Sequence, residues 1–134
     1  MTTYIPIKIR AQIEQEARHR CGYCLSDETL TGIPLSIEHI LPEALGGETI
    51  HTNLWLACRP CNEYKGTQTH AEDQETGQVV PLFNPREHQW NEHFYWSQDG
   101  CYILGSLLDA QRLYSTYHLN IPQKWVIISH LKFI

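Results

Sequence analysis

Two cysteine pairs at the same short spacing, Cys21-Gly22-Tyr23-Cys24 and Cys58-Arg59-Pro60-Cys61, constrain this chain more than any other feature. Each clip can turn two thiolates onto one ion, and the two together supply the four soft ligands of a tetrahedral zinc site. Only five cysteines exist and four fall in the clips, which is metal spacing and not the spread of a disulfide framework. The fifth, Cys101, lies in an apolar aromatic run and reads as a packed thiol. The 33 residues between the clips exceed the connection of a plain zinc ribbon. What they carry decides the chemistry.

Around the clips, periodicity and breakers give a coarse fold. Pro6 followed by Ile9, Ile13 and Ala17 predicts an amphipathic helix over 7–19, with Glu14–Arg18 and Glu16–Arg20 as i,i+4 pairs on its solvent face. Residues 26–34 are rich in Ser, Asp, Thr, Gly and Pro and read as loop. Leu35 to Leu41, stopped by Pro42, predicts a strand, and Asn53 to Ala57 a second one. The two form a hairpin with a long connection that turns at Gly46-Gly47. Pro60 opens a helix expected to run to about His70, weakened by Gly66.

Farther on, Asn84-Pro85 reads as a helix start leading to Trp90. Gln98-Asp99-Gly100 between Phe94-Tyr95-Trp96 and Cys101-Tyr102-Ile103-Leu104 signals a hairpin. Ser106 with Asp109 predicts a capped helix over 107–118. Trp125 to Leu131 is a short apolar element, helix or strand. The expected fold is α+β in one domain over 1–134. Residues 1–75 hold the N-terminal helix, zinc knuckles and hairpin core, and 76–134 form a C-terminal α/β extension packed on it.

Composition bounds the function. Hydrophobic content of 42% with 19% charged residues is globular. No apolar run approaches the ~20 residues of a membrane span, and no signal-peptide pattern opens the chain. Metal-spaced cysteines point to a reducing compartment, so the expected location is cytoplasmic, with no membrane partner. Ten Lys and Arg against fifteen Asp and Glu give a net charge of −5. A uniformly basic surface for tight non-specific DNA binding is thereby excluded. Lys8, Arg10, Arg18 and Arg20 nevertheless make the N-terminal stretch locally basic.

Taken in order, Cys21-x-x-Cys24, Ile37-Glu38-His39-Ile40-Leu41-Pro42, Gly46-Gly47, Asn53-Leu54 and Cys58-x-x-Cys61-Asn62-x-x-Lys65-Gly66 resemble the HNH endonuclease family, in its four-cysteine zinc subgroup. The resemblance spans about residues 21–66. It implies a ββα-metal (His-Me finger) core and metal-dependent hydrolysis of phosphodiester bonds in DNA, by nicking or double-strand cutting. It implies His39 as general base and Asn53 as the residue orienting its imidazole. Asn62 and Glu38 would be ligands of a catalytic Mg²⁺ or Mn²⁺, and Cys21, Cys24, Cys58 and Cys61 would hold a structural Zn²⁺. Leu82-Phe83-Asn84-Pro85-Arg86 and Trp96-Ser97-Gln98-Asp99-Gly100 are similar to a subgroup of small bacterial members. Two positions depart from the family pattern: Asn62 stands where His is frequent, and Glu38 where Asp is usual.

The residue types make chemical sense unaided. Phosphodiester hydrolysis needs a base for water and a cation for the leaving oxygen. A neutral imidazole takes a proton near physiological pH, and the oxygens of Glu38 and Asn62 suit a hard cation. Four thiolates close a zinc sphere, which makes that zinc structural. Neighbouring strand residues point to opposite faces, so Glu38 and His39 can meet one phosphate only across a twisted strand end or bulge.

Blander readings stand beside these. Asn62 is also a helix-start amide, Asn53 a turn amide and His51 a loop residue. Arg59, Lys65 and His51 are candidate nucleic-acid contacts, with Arg59 and Lys65 equally a solvated helix face. Trp90, Phe94, Tyr95 and Trp96 read as core in preference to a base-stacking platform. Two rivals to a DNA nuclease are a catalytically inactive zinc-stabilised nucleic-acid or protein-binding module and an RNA-cutting toxin.

Overall fold

The computed structural model describes residues 4–72, 79–96, 98 and 103–105. Helix α1, Ile7–Glu16, starts behind Pro6, whose φ of −56° leads into helical geometry. It stops before the predicted end because Arg18 and His19 take positive φ (54° and 57°), which no right-handed helix continues. The expected pairs on its face are replaced accordingly. Arg20 reaches Asp27 at 3.8 Å, while Glu16 turns to His51 and Arg86. The segment expected to be loop contains α2, Glu28–Thr31, capped by Asp27, which accepts from Thr29 N at 2.9 Å.

Strands β1 (Ser36–His39) and β2 (Leu54–Ala57) form the expected antiparallel hairpin, with Ser36 opposite Ala57 and His39 opposite Leu54. Their connection holds two 3-10 turns, Glu43–Leu45 and His51–Asn53. Helix α3, Arg59–Lys65, follows directly, with Cys58 at its N-cap and Pro60 in its first turn. It ends well short of His70. That residue instead opens β3 (His70–Glu72), which pairs with β4 (Val79–Pro81) in a hairpin that no turn signal announces.

Asn84-Pro85 makes a turn and not a helix start. Asn84 Oδ1 accepts from Arg86 N at 2.9 Å, and its own N–H goes to His88 Nδ1. The helix comes later, as α4 (Trp90–His93), and runs into β5 (Phe94–Trp96). β5 pairs with β6 (Ile103–Gly105) as the Asp99-Gly100 signal predicts. The predicted helix over 107–118, the element at 125–131 and Cys101 lie outside the described residues.

Among the described residues the result is an α+β arrangement of short helices and three two-stranded antiparallel sheets. Ile13 of α1, Leu54 and Leu56 of β2, Cys21 and Cys61 are fully shut off from solvent, and Tyr23, Leu82, Phe83 and Phe94 join the same cluster. Each large apolar side chain so buried contributes roughly 1.5–3 kcal/mol. Phe83 meets the rings of Tyr23 and Phe94 edge-on at 6.3 Å and 5.3 Å. Trp90 Nε1 donates to Tyr23 O at 2.8 Å. Arg86 Nε donates to Leu54 O at 3.0 Å while its guanidinium lies over the Trp55 ring. Phe94 is thus core, with Trp90 and Trp96 packed against it, and Tyr95 is exposed. Among the described residues no helix is long and apolar enough to cross a membrane.

Candidate active site and metal centre

The two clips meet. The Sγ atoms of Cys21, Cys24, Cys58 and Cys61 lie within 4.8 Å of one another, all four residues are buried, and all are free of disulfides. Cys24 and Cys58 Sγ are 3.6 Å apart. Four sulfurs at about 2.3 Å from one zinc would stand about 3.8 Å from each other, so the cluster fits that ion. Gly22 N donates to Leu56 O, which ties the first clip to β2, and Tyr23 N donates to Cys21 Sγ. The thiols cannot all ionise together without a cation. For Cys21 burial is outweighed by hydrogen bonds from its three neighbours, which hold it low. Hydrogen bonding to Cys21 pushes Cys58 up, and burial pushes Cys61 up. Four buried sulfurs this close together suit a cation that can neutralise their thiolates.

His39 ends β1. Its Nε2 lies 2.9 Å from Thr49 Oγ1 and 3.0 Å from Glu43 Oε1, and the Thr49 hydroxyl donates on to Glu43 Oε1 at 3.3 Å. A carboxylate only accepts, so this contact calls for a proton on Nε2, and in the neutral tautomer with that proton the lone pair is on Nδ1. No described residue partners Nδ1.

The connection reaches back over the ring because of its two glycines. Gly46 takes a φ of +89°, and Gly47 packs so closely that a Cβ there would stand 1.7 Å from Leu41 O. Asn53 fastens the same segment. Its Nδ2 donates to Leu41 O (3.0 Å) and Glu48 O (2.9 Å), and its Oδ1 accepts from Leu41 N (2.8 Å). Asn53, expected to orient the imidazole, makes its side-chain hydrogen bonds to the backbone of the connection. Both its donors are committed to backbone carbonyls, and it acts on His39 only through the loop that carries Glu43 and Thr49.

Glu38 faces the other way from His39, as strand alternation requires. It is buried; Oε1 accepts from the Tyr23 hydroxyl, while Oε2 makes no hydrogen bond and stands 3.6 Å from Lys65 Nζ. Burial lifts this carboxyl to about 7, against the opposing pull of Lys65 and the Tyr23 hydrogen bond. Lys65, itself buried, donates to His39 O at 3.2 Å and Ile40 O at 2.9 Å. The Lys65 ammonium, a candidate nucleic-acid contact by sequence, is enclosed beneath the end of β1. His51 is engaged too, its Nε2 lying 2.6 Å from Glu16 Oε1. Arg59 remains at the surface, 85% exposed and paired with Glu63.

Glu38, His39, Glu43 and Asn62 line one open groove of about 510 Å³, with Arg10 of α1 also in its wall. Asn62 lies in the first half of α3, exposed, its side chain without a partner among the described residues. An orphaned buried carboxylate oxygen is a donor that a hard divalent cation accepts. To that extent Glu38 and Asn62 fit such an ion, with the Lys65 ammonium as its competitor. Arg18 and Arg20 line a separate hollow of about 690 Å³ beside Trp55 and Trp90. Tyr23, Glu43, Thr49 and Arg86 stood out in no sequence motif as site residues. Glu43 and Thr49 flank Gly46-Gly47, and a tight turn folding back toward β1 is the signal that points to them.

With this geometry in place, residues 21–75 match the family model described as HNH endonuclease. The stretch begins at the first clip and ends beyond α3, and the resemblance carried by the motifs is borne out over it. No curated protein and no solved structure matches the chain.

Proposed function

We propose that the protein is a metal-dependent endonuclease that hydrolyses phosphodiester bonds of DNA, built as one domain on a ββα-metal core of β1, β2 and α3. The observation that carries this reading is that Glu38, His39 and Asn62 line one groove, with His39 Nδ1 and the Asn62 amide unpartnered among the described residues. His39 Nδ1 takes a proton from water, whose oxygen attacks phosphorus as the bond to the 3′ oxygen breaks. Glu38 and Asn62 would hold Mg²⁺ or Mn²⁺, which when bound supplies positive charge against the phosphate and the departing oxygen. Arg10 adds a fixed cation at the groove wall, and Arg59 a second at the surface of α3. The four cysteines would hold a structural zinc that organises both clips.

Cleavage of supercoiled plasmid with Mg²⁺ or Mn²⁺ tests the reading. Wild type should give nicked or linear product, and His39→Ala should lose it by roughly 10²–10⁴-fold with zinc content intact. Full activity in His39→Ala would remove the active site from this hairpin. The enclosed Lys65–Glu38 pair favours a second reading, a zinc-stabilised binding module in which Glu38 is only a core partner. In that case wild type binds nucleic acid or protein and cuts nothing. A structured RNA in the same assay separates an RNA-cutting activity.

A further inference from the structure

We infer that Glu43 and Thr49 are the positioning residues of His39, selecting which ring nitrogen acts. The inference rests on the reading of His39 as the base, and it goes beyond the motif residues, neither of which is Glu43 or Thr49. Three contacts close a triangle on one atom: His39 Nε2 to Thr49 Oγ1, His39 Nε2 to Glu43 Oε1, and the Thr49 hydroxyl to the same Glu43 oxygen. Because the hydroxyl proton points at Glu43, the Thr49 oxygen is left to accept, and both partners demand a proton on Nε2. Nδ1 is then the nitrogen with the lone pair. When it takes a proton from water, the ring becomes a cation beside a carboxylate already in contact with it. Orientation, tautomer and charge are served by one pair of residues, the division of labour familiar from His–carboxylate dyads.

The placement follows from the fold of the connection. Glu43 opens the 3-10 turn behind Pro42, Gly46-Gly47 reverses the chain, and Thr49 returns on the far side. Asn53 clamps Leu41 and Glu48, the residues just outside that reversal. Glu43 keeps 39% of its side chain exposed and lies outside the buried core, so its substitution removes no core packing.

The experiment uses the zinc-loaded full chain. The imidazole ¹⁵N signals of His39, assigned by their loss in His39→Gln, are recorded where the ring is neutral. Single-turnover plasmid cleavage at saturating Mg²⁺ is measured beside them. Wild type should carry the proton on Nε2. Glu43→Ala should lose that tautomer preference and slow the single-turnover rate by about 10–100-fold, the usual effect of removing an outer partner, without raising KM. Thr49→Val should weaken both readouts, and Glu43→Gln, which keeps an acceptor oxygen in place, should restore most of the rate. A wild-type proton on Nδ1, or unchanged spectrum and rate in Glu43→Ala, overturns the inference. Undiminished cleavage by His39→Gln would instead overturn the reading of His39 as the base, while the spectra would still decide whether Glu43 and Thr49 set the tautomer.

Discussion

Lys65 Nζ stands 3.6 Å from Glu38 Oε2 where the two side chains keep only 4% and 2% of their surface exposed. An ion pair so enclosed loses most of its hydration, and removing one partner strands the other. Lys65→Met should therefore destabilise the fold by about 3–5 kcal/mol, read from denaturant unfolding. Adding Glu38→Gln should recover most of the loss, because a neutral amide needs no counter-charge. A double variant no more stable than the single one would show that the two residues act independently.

Zinc should be present at one ion per chain and be required for the fold. The four sulfurs fit it, and zinc binding in small domains is worth about 10–16 kcal/mol. Cys58→Ser should lose both metal and cooperative unfolding. Elemental analysis finding no zinc in protein prepared without chelator would refute this.

The divalent site proposed at Glu38 and Asn62 makes an asymmetric prediction. Glu38→Ala and Asn62→Ala should both lose cleavage, and raised Mg²⁺ or Mn²⁺ should restore part of it through mass action. The same additions should leave His39→Ala inactive. Equal rescue of all three would make His39 a ligand and not the base.

Asn53→Ala should cost roughly 1–3 kcal/mol, since three backbone groups of the connection lose their partner at once. Cleavage should fall with it while zinc content stays constant. Asn53→Asp keeps the acceptor for Leu41 N but loses both donors, and should lie closer to alanine than to wild type.

Glu16 supplies a pH dependence. Burial raises its carboxyl, but hydrogen bonds from His51 and Arg86 outweigh that and hold it below the ordinary 4.5. A depressed acid is charged more readily in the folded state, so its stabilisation is present above pH 4.5 and is lost as pH falls through the folded value. Thermal unfolding of Glu16→Gln should accordingly show a flatter acid limb than wild type. An identical limb in both proteins would mean that the Glu16 ties contribute nothing.

Features with a local chemical cause were legible in the sequence. The cysteine clips, the hairpin on either side of Gly46-Gly47, Pro60 at a helix start and the Asp99-Gly100 hairpin all follow from spacing or turn chemistry. What stayed hidden depends on long-range pairing. β3 and β4 carry no turn signature, and α1 ends early through the backbone angles of Arg18 and His19, not through a breaker residue. At the candidate site, residue type and order single out His39, Glu38 and Asn62. Their partners are not singled out, because Lys65, Tyr23, Glu43 and Thr49 reach them only after the chain has folded back across the hairpin.

Tyr23 belongs to the first clip by its backbone and to the carboxylate by its hydroxyl. Chelation is consequently two experiments in one tube. EDTA would withdraw the ion proposed at Glu38 and also loosen the clip that carries Tyr23, so silence after treatment says nothing about which loss mattered. Returning magnesium alone should leave the protein inert, and returning zinc first and magnesium second should revive it. Reconstitution order, not inhibition, is where the two metals become separable.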